Sequence, residues 1–116
     1  CYLRLQDGAV AGWLVSPDPA SAALQVRVIA GPASAGGVRG AWRRTEHGYL
    51  VTMALSLKAW PPEPGDEPPR FDLVVNEMQP GRLRRAGQLI WTGGGGWAYL
   101  RGDRADPERF GILELV

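Results

Sequence analysis

Aromatic side chains near the carboxy-terminal end are the residues of this chain best suited to hold a ligand. Trp91, Trp97 and Tyr99 flank four successive glycines, and Trp97 and Tyr99 have the same strand parity. Flat sugar faces carry C–H groups that pack on aromatic rings, while amide, carboxylate and guanidinium groups bond the hydroxyls. The sequence therefore predicts an aromatic binding platform at Trp97 and Tyr99, with a covered sheet edge as the alternative. Trp91 ends an apolar run, so we expect it to be a core residue, with ligand binding as the alternative.

Motifs for catalysis are absent from the sequence. His47 and Cys1 are the single histidine and the single cysteine, and without an H-x-x-x-H or C-x-x-C pair the sequence offers no zinc-binding motif. The glycines at 93–96 lack the Lys and Ser or Thr that follow in a phosphate-binding loop. The carboxylates are spread as on an ordinary surface, although two of them would suffice for a glycosidase. We expect a non-catalytic protein.

Composition fits one small folded domain over residues 1–116. The chain is 45% hydrophobic and rich in turn residues, with 16 Gly and 10 Pro. A net charge of +1 indicates no nucleic-acid partner. No apolar run approaches the roughly 18 residues of a membrane span. One cysteine cannot form an internal disulfide, so cysteine usage leaves the compartment undetermined.

Alternation of apolar and polar residues predicts eight strands. They span residues 2–6, 12–15, 24–29, 38–44, 49–57, 71–76, 88–91 and 110–115. The fifth is the clearest, because Tyr49, Val51, Met53, Leu55 and Leu57 share one face. We expect these five side chains to point into a single core and this strand to be central.

Turn residues between the strands predict how they connect. Residues 46–48, Glu-His-Gly, form a hairpin turn, so the fourth and fifth strands pair antiparallel. Residues 60–69 contain five prolines and make a rigid connection, not a linker between domains. The expected fold is an all-β antiparallel sandwich, jelly-roll-like or immunoglobulin-like.

The closing half of the chain resembles a known family. FDLVVN, then QLIW, then the glycine-rich loop, then PERFGILEL resembles the end of family 9 carbohydrate-binding modules and their DOMON-like relatives. The resemblance covers mainly residues 48–116 and favours the jelly-roll form. Those modules are longer and open with further strands, which implies that amino-terminal strands of a longer domain lie outside this sequence. It also implies an extracytoplasmic location and an accessory carbohydrate-binding role.

The resemblance extends to individual residues. Trp97 is similar to the loop tryptophan of the family's sugar-holding pair, and Asn76 stands where the family's V-N-D motif has its Asn, with Glu77 in place of Asp. The family also binds calcium, for which Asp103, Asp106 and Glu108 offer carboxylates. Arginines interleave with these carboxylates and favour a solvated ion-pair loop instead.

Two other functions stay open. Haem-binding DOMON-like relatives use Met with His or Lys as axial ligands, and Met53, Met78, His47 and Lys58 are available here. Met53 fits the core and His47 a turn, so we expect no haem. The remaining alternative is a structural or protein-interaction scaffold of the same fold without a sugar site.

Overall fold

The described residues are all-β, as the sequence predicts. The computed structural model describes residues 1–4, 8–33, 35–56, 58, 67–79, 81, 83, 85–92 and 107–113. Within them lie nine strands and two short 3₁₀ turns, at Ala35–Gly37 and Pro107–Arg109. The strands are β1 Tyr2–Arg4, β2 Val10–Pro17, β3 Leu24–Ala30, β4 Val38–Thr45, β5 Gly48–Leu55, β6 Arg70–Asp72, β7 Val74–Met78, β8 Arg85–Ile90 and β9 Gly111–Ile112.

The strands pair antiparallel in three sheets. Five of them form one sheet in the order β3-β2-β1-β6-β9, while β4–β5 and β7–β8 are separate hairpins. The pairing of β1 with β6 joins residues far apart in sequence, with Leu3 opposite Phe71. The jelly-roll form, the immunoglobulin-like alternative and the single-domain organisation stay predictions.

The core lies on one face of the five-stranded sheet. Leu3 is opposite Ala11, and Cys1 and Trp13 follow on the same face by strand alternation. All four side chains are buried, and Trp13 has no exposed surface. The β4–β5 hairpin covers this face with Val38, Met53 and Leu55, which pack against the same cluster. Two sheets therefore share one core.

The predicted alternation in β5 is confirmed for its middle residues. Val51, Met53 and Leu55 are half-buried, while Thr52 and Ala54 are exposed. Tyr49 was expected in the core but is 57% exposed, because it lies at the hairpin tip beyond the apolar face of the larger sheet. Leu57 lies outside the described residues.

Strand β5 was also expected to be central, and the described strands do not place it between two neighbours. Among the described residues it pairs only with β4, from Val38↔Leu55 to Thr45↔Gly48. Its half-buried residues alternate with exposed ones because one face of the strand packs on the core and the other faces solvent. The predicted turn is confirmed, and Gly48 has the positive φ of +154° that this turn favours in glycine.

The predicted strand at 71–76 is two strands in different sheets. Strand β6 ends at Asp72 and β7 begins at Val74. Between them, the Leu73 side chain packs against the core cluster and its N–H donates to Oδ1 of Asp72 at 2.9 Å. This local bond replaces a ladder bond and lets the chain change sheets. The last predicted strand, 110–115, contains β9 at Gly111–Ile112, and its residues 114 and 115 lie outside the described residues.

Within the described residues, no helix has the length and apolar character needed to cross a membrane.

Candidate functional site

The candidate site is the indole of Trp91 at the end of β8. Trp91 is 58% exposed, so its side chain does not belong to the core. Its backbone N–H donates to the carbonyl oxygen of Leu73 at 2.9 Å, which extends the β7–β8 pairing by one residue. The backbone that carries this ring is therefore fixed although the ring faces solvent.

Two residues of the larger sheet support the indole. The rings of Phe71 and Trp91 have centroids 5.9 Å apart and planes inclined by 60°. Gly111 lies directly opposite Phe71 on β9. A Cβ atom on Gly111 would be only 2.8 Å from Cζ3 of Trp91, so a larger residue there would displace the ring. The indole is thus a positioned side chain with a broad exposed surface.

Asp72 fixes the backbone of Thr92, the residue that follows Trp91. This carboxylate is 7% exposed, and its Oδ1 accepts hydrogen bonds from the N–H groups of Leu73 at 2.9 Å and Thr92 at 3.3 Å. The methyl group of Thr92 would lie 3.5 Å from a Cβ on Gly111. Thr92, which directly precedes the segment 93–106, therefore lies close to Gly111 and beside Trp91. Burial of Phe110, whose ring lies 6.3 Å from that of Tyr2, fixes the returning chain.

Four of the predicted site residues belong to that segment. Trp97, Tyr99, Asp103 and Asp106 lie outside the described residues, and their predicted roles stay predictions.

Asn76 and Trp91 do not lie on one surface. Asn76 is opposite Gln88 in the β7–β8 pairing, and Nε2 of Gln88 donates to Oδ1 of Asn76 at 2.8 Å. Strand alternation places this amide pair on the opposite face of the hairpin from Trp91. The amide pair stabilises the hairpin across the two strands.

Glu108 is held by arginines from the sheet. Its carboxylate lies 3.2 Å from Nη2 of Arg4 and 3.8 Å from Nη2 of Arg70, and its carbonyl oxygen accepts from Nη1 of Arg70 at 2.9 Å. Arg4 also lies 3.5 Å from the carboxylate of Glu67. Arg4 and Arg70 are opposite each other on β1 and β6, so the two glutamates offset the repulsion between like charges.

This arrangement bears on the predicted calcium site. Two guanidinium groups already neutralise Glu108, whereas a calcium ion needs several free oxygen ligands. Among the described residues, no group of three or more His, Cys, Asp or Glu side chains could hold a metal ion. A calcium site would depend on Asp103 and Asp106. Sequence reasoning missed Arg4 and Arg70 as partners of Glu108, because their proximity depends on the β1–β6 pairing.

A second apolar side chain lies on the same face of the hairpin as Trp91. Leu89 is opposite Val75 in the pairing and is 74% exposed. We call Val75, Leu89 and Trp91 the apolar stripe. The run Gln88 to Trp91 reads as apolar throughout, so the sequence does not show which of its residues are exposed.

The candidate haem ligands differ in burial. Met53 packs against the core, and the side chain of His47 is 88% exposed in the β4–β5 turn. Met78 is 53% exposed at the end of β7, and Lys58 is exposed as well. The expectation that haem is not bound stays a prediction.

Comparison with known proteins found no matching family model, no similar curated protein and no similar solved structure. Functional inference for this chain therefore depends on its own residues.

Proposed function

We propose that this chain is a non-catalytic carbohydrate-binding module in which Trp91 forms an aromatic platform. One observation carries the proposal. The Trp91 indole is 58% exposed, yet Phe71 and Gly111 hold it in place. A rigid exposed ring loses little conformational entropy when a ligand packs on it.

The chemistry of this surface suits an uncharged sugar ring. The C–H groups of a β-linked pyranose pack on an indole face, and neighbouring polar groups then bond the equatorial hydroxyls. Thr92 directly follows Trp91 in the chain and carries a hydroxyl group. Trp97 and Tyr99 follow within eight residues and can add a second aromatic surface. The resemblance to family 9 modules supports the same ligand class.

Titration with soluble β-linked oligosaccharides tests the proposal. We expect weak binding, because a small open site buries little area. Isothermal titration calorimetry should be run beside tryptophan fluorescence, since removal of Trp91 also removes a fluorescent reporter. Trp91→Ala should abolish the heat of binding, whereas Trp91→Phe should keep part of it. The loss of stability in Trp91→Ala should be about 1 kcal/mol, the typical value of one aromatic pair.

Leu89→Ala is the matched control for the platform. Leu89 lies on the same face and is even more exposed than Trp91, but its side chain offers no ring. Sugar binding should be unchanged in this variant. Absence of binding across a broad glycan panel, or full retention of binding in Trp91→Ala, would contradict the proposed function.

The apolar stripe favours a second candidate, which is a protein-interaction module. Leu89 and Trp91 expose apolar surface on one face of the hairpin, as do many protein-binding patches. For a protein partner, Leu89→Ala and Trp91→Ala should weaken binding to comparable degrees. The two functions thus differ in their response to Leu89→Ala.

A further inference from the structure

The β4–β5 hairpin has a solvent face that the proposed sugar platform does not use. Arg39, Ala41 and Arg43 on β4 are opposite Ala54, Thr52 and Leu50 on β5, and all six are exposed. We call these six residues the arginine face. The other face of the hairpin carries Val38, Met53 and Leu55, which pack on the core. The arginine face is therefore turned away from the protein interior.

Among the described residues, no carboxylate neutralises the positive charge on this face. The sequences of β4 and β5 contain no Asp or Glu. Within the part of the chain that the structure describes, no ion pair joins Arg39 or Arg43 to a carboxylate. Glu46 lies in the adjoining turn, where its carboxylate is 3.9 Å from Nε2 of His47. Arg44 is exposed as well, but strand alternation places it on the other face of the hairpin, where it is opposite Tyr49.

The spacing of the arginines indicates an extended ligand. Arg39 and Arg43 are four residues apart on one strand, so their Cα atoms are separated by about 13 Å. Side chains on a strand stand roughly perpendicular to the sheet, so the two guanidinium groups are presented to separate anionic groups rather than to one small anion. Ala41, Thr52 and Ala54 lie between them and leave a flat strip with one hydroxyl group. A linear polymer with repeated negative charges can lie along this strip.

We propose that the arginine face binds a linear acidic glycan through its carboxylate groups. The planar guanidinium group pairs with a carboxylate through two parallel hydrogen bonds. The six residues include no aromatic ring on which a nucleic-acid base could stack. Between the two arginines this face carries the small side chains of Ala41 and Thr52, without the apolar anchoring pockets typical of a protein interface. This surface is separate from Trp91 and does not depend on the proposed function.

Binding of carboxymethyl dextran to the full 116-residue chain tests the inference. Binding should weaken with salt, because each ion pair releases condensed counterions. Arg39→Gln together with Arg43→Gln should weaken binding by about tenfold or more. The same pair should lower the slope of log affinity against log salt by about one for each arginine removed. Uncharged dextran should not bind to this surface.

Arg27→Gln is the matched control, because Arg27 is an exposed strand arginine on β3. Its neighbours Val26 and Val28 pack toward the core, so Arg27 lies on the far side of the larger sheet. This variant and Trp91→Ala should both retain binding. Melting temperatures of all variants, followed by circular dichroism, should confirm that each is folded.

Several outcomes would overturn the inference. One is that carboxymethyl dextran does not bind at low salt. Another is that Arg27→Gln weakens its binding as much as the Arg39→Gln and Arg43→Gln pair does. Tighter binding of dextran sulfate matched in charge per residue would reject the carboxylate assignment. Tighter binding of a single-stranded oligonucleotide or of polyglutamate that depends on Arg39 and Arg43 would assign the face to nucleic acid or to acidic protein instead.

Discussion

Single polar side chains organise the loop between β2 and β3. The carboxylate of Asp18 accepts hydrogen bonds from the N–H of Ala20 at 3.0 Å and from the hydroxyl of Ser21 at 2.9 Å. The loop then presents two carbonyl oxygens to the indole N–H of Trp42. Nε1 of Trp42 donates to those of Asp18, at 3.1 Å, and Ser21, at 2.9 Å. A local turn thereby anchors β4 to the end of the larger sheet.

The pH dependence of this turn follows from Asp18. The hydrogen bond from Ala20, and then that from Ser21, hold the pKa of Asp18 below its usual value of 3.8. Because the pKa is lower in the folded chain, the ionised carboxylate stabilises the turn above pH 3.8 and this contribution is lost as the pH falls through the folded pKa. We expect an NMR titration of the Asp18 carboxyl carbon to have its midpoint below 3.8.

Ser21→Ala is the control for that titration. It removes one hydrogen-bond donor to the Asp18 carboxylate and should move the midpoint of the titration upward. In the unchanged chain, the indole N–H resonance of Trp42 should shift in the same pH range as Asp18. A midpoint at or above 3.8 in the unchanged chain would mean that these hydrogen bonds do not form in solution.

At the scale of elements, the two faces of strand β5 should contribute differently to the free energy of unfolding. Met53 is half-buried and packs against the core, whereas its neighbour Thr52 is exposed on the arginine face. Met53→Ala should lower the free energy of unfolding by about 2 kcal/mol, the lower end of the range for core methionines. Thr52→Ala should change it by less than about 0.5 kcal/mol. Urea denaturation measures both, and a larger loss from Thr52→Ala would indicate the opposite register.

Local patterns in the sequence predicted most of the strands. They predicted the β4–β5 pairing, but not the pairings between strands that are distant in sequence. Alternation located the middle of β5 and turn residues located the β4–β5 hairpin, since both signals come from adjacent residues. The break at Leu73 was missed because the run from Phe71 to Asn76 is apolar enough for one strand. Which sheet each half joins depends on β1 and β8, which are distant in sequence.

The candidate site was predictable only in part for the same reason. Aromatic type made Trp91 a candidate, but its position in an apolar run favoured the core, and this was wrong. Its exposure depends on the end of the larger sheet, where Phe71 and Gly111 support the ring from β6 and β9. Pairing of Asn76 with Gln88 likewise requires the β7–β8 register. None of these relations leaves a periodic signal in the sequence.

At the scale of the whole molecule, one core connects the larger sheet and the β4–β5 hairpin. The third sheet, the β7–β8 hairpin, is joined to them by contacts near Leu73. Leu3 from the larger sheet and Val38 from the β4–β5 hairpin are 1% and 3% exposed in the same cluster. The β7–β8 hairpin is attached through Leu73, which packs on that cluster, and through the bonds of Asp72 to Leu73 and Thr92. Disruption of the core should therefore affect all three sheets.

We expect the chain to unfold in one cooperative transition, as a single domain should. Leu3→Ala should cost about 2–5 kcal/mol, because it leaves a cavity between the two sheets that share the core. Far-ultraviolet circular dichroism reports all strands, and tryptophan fluorescence is sensitive to the fully buried Trp13. Both should give the same midpoint in the unchanged chain and the same shift in Leu3→Ala.

Hydrogen exchange resolves the part of this prediction that concerns the β7–β8 hairpin. Its amides should exchange faster than those of β1 and β2, since Leu89 and Met78 are exposed and fewer of its side chains reach the core. Leu3→Ala should nevertheless accelerate exchange in the hairpin, because Leu73 and Asp72 couple it to the larger sheet. Two separate transitions, or a hairpin unaffected by Leu3→Ala, would show that β7–β8 folds independently of the shared core.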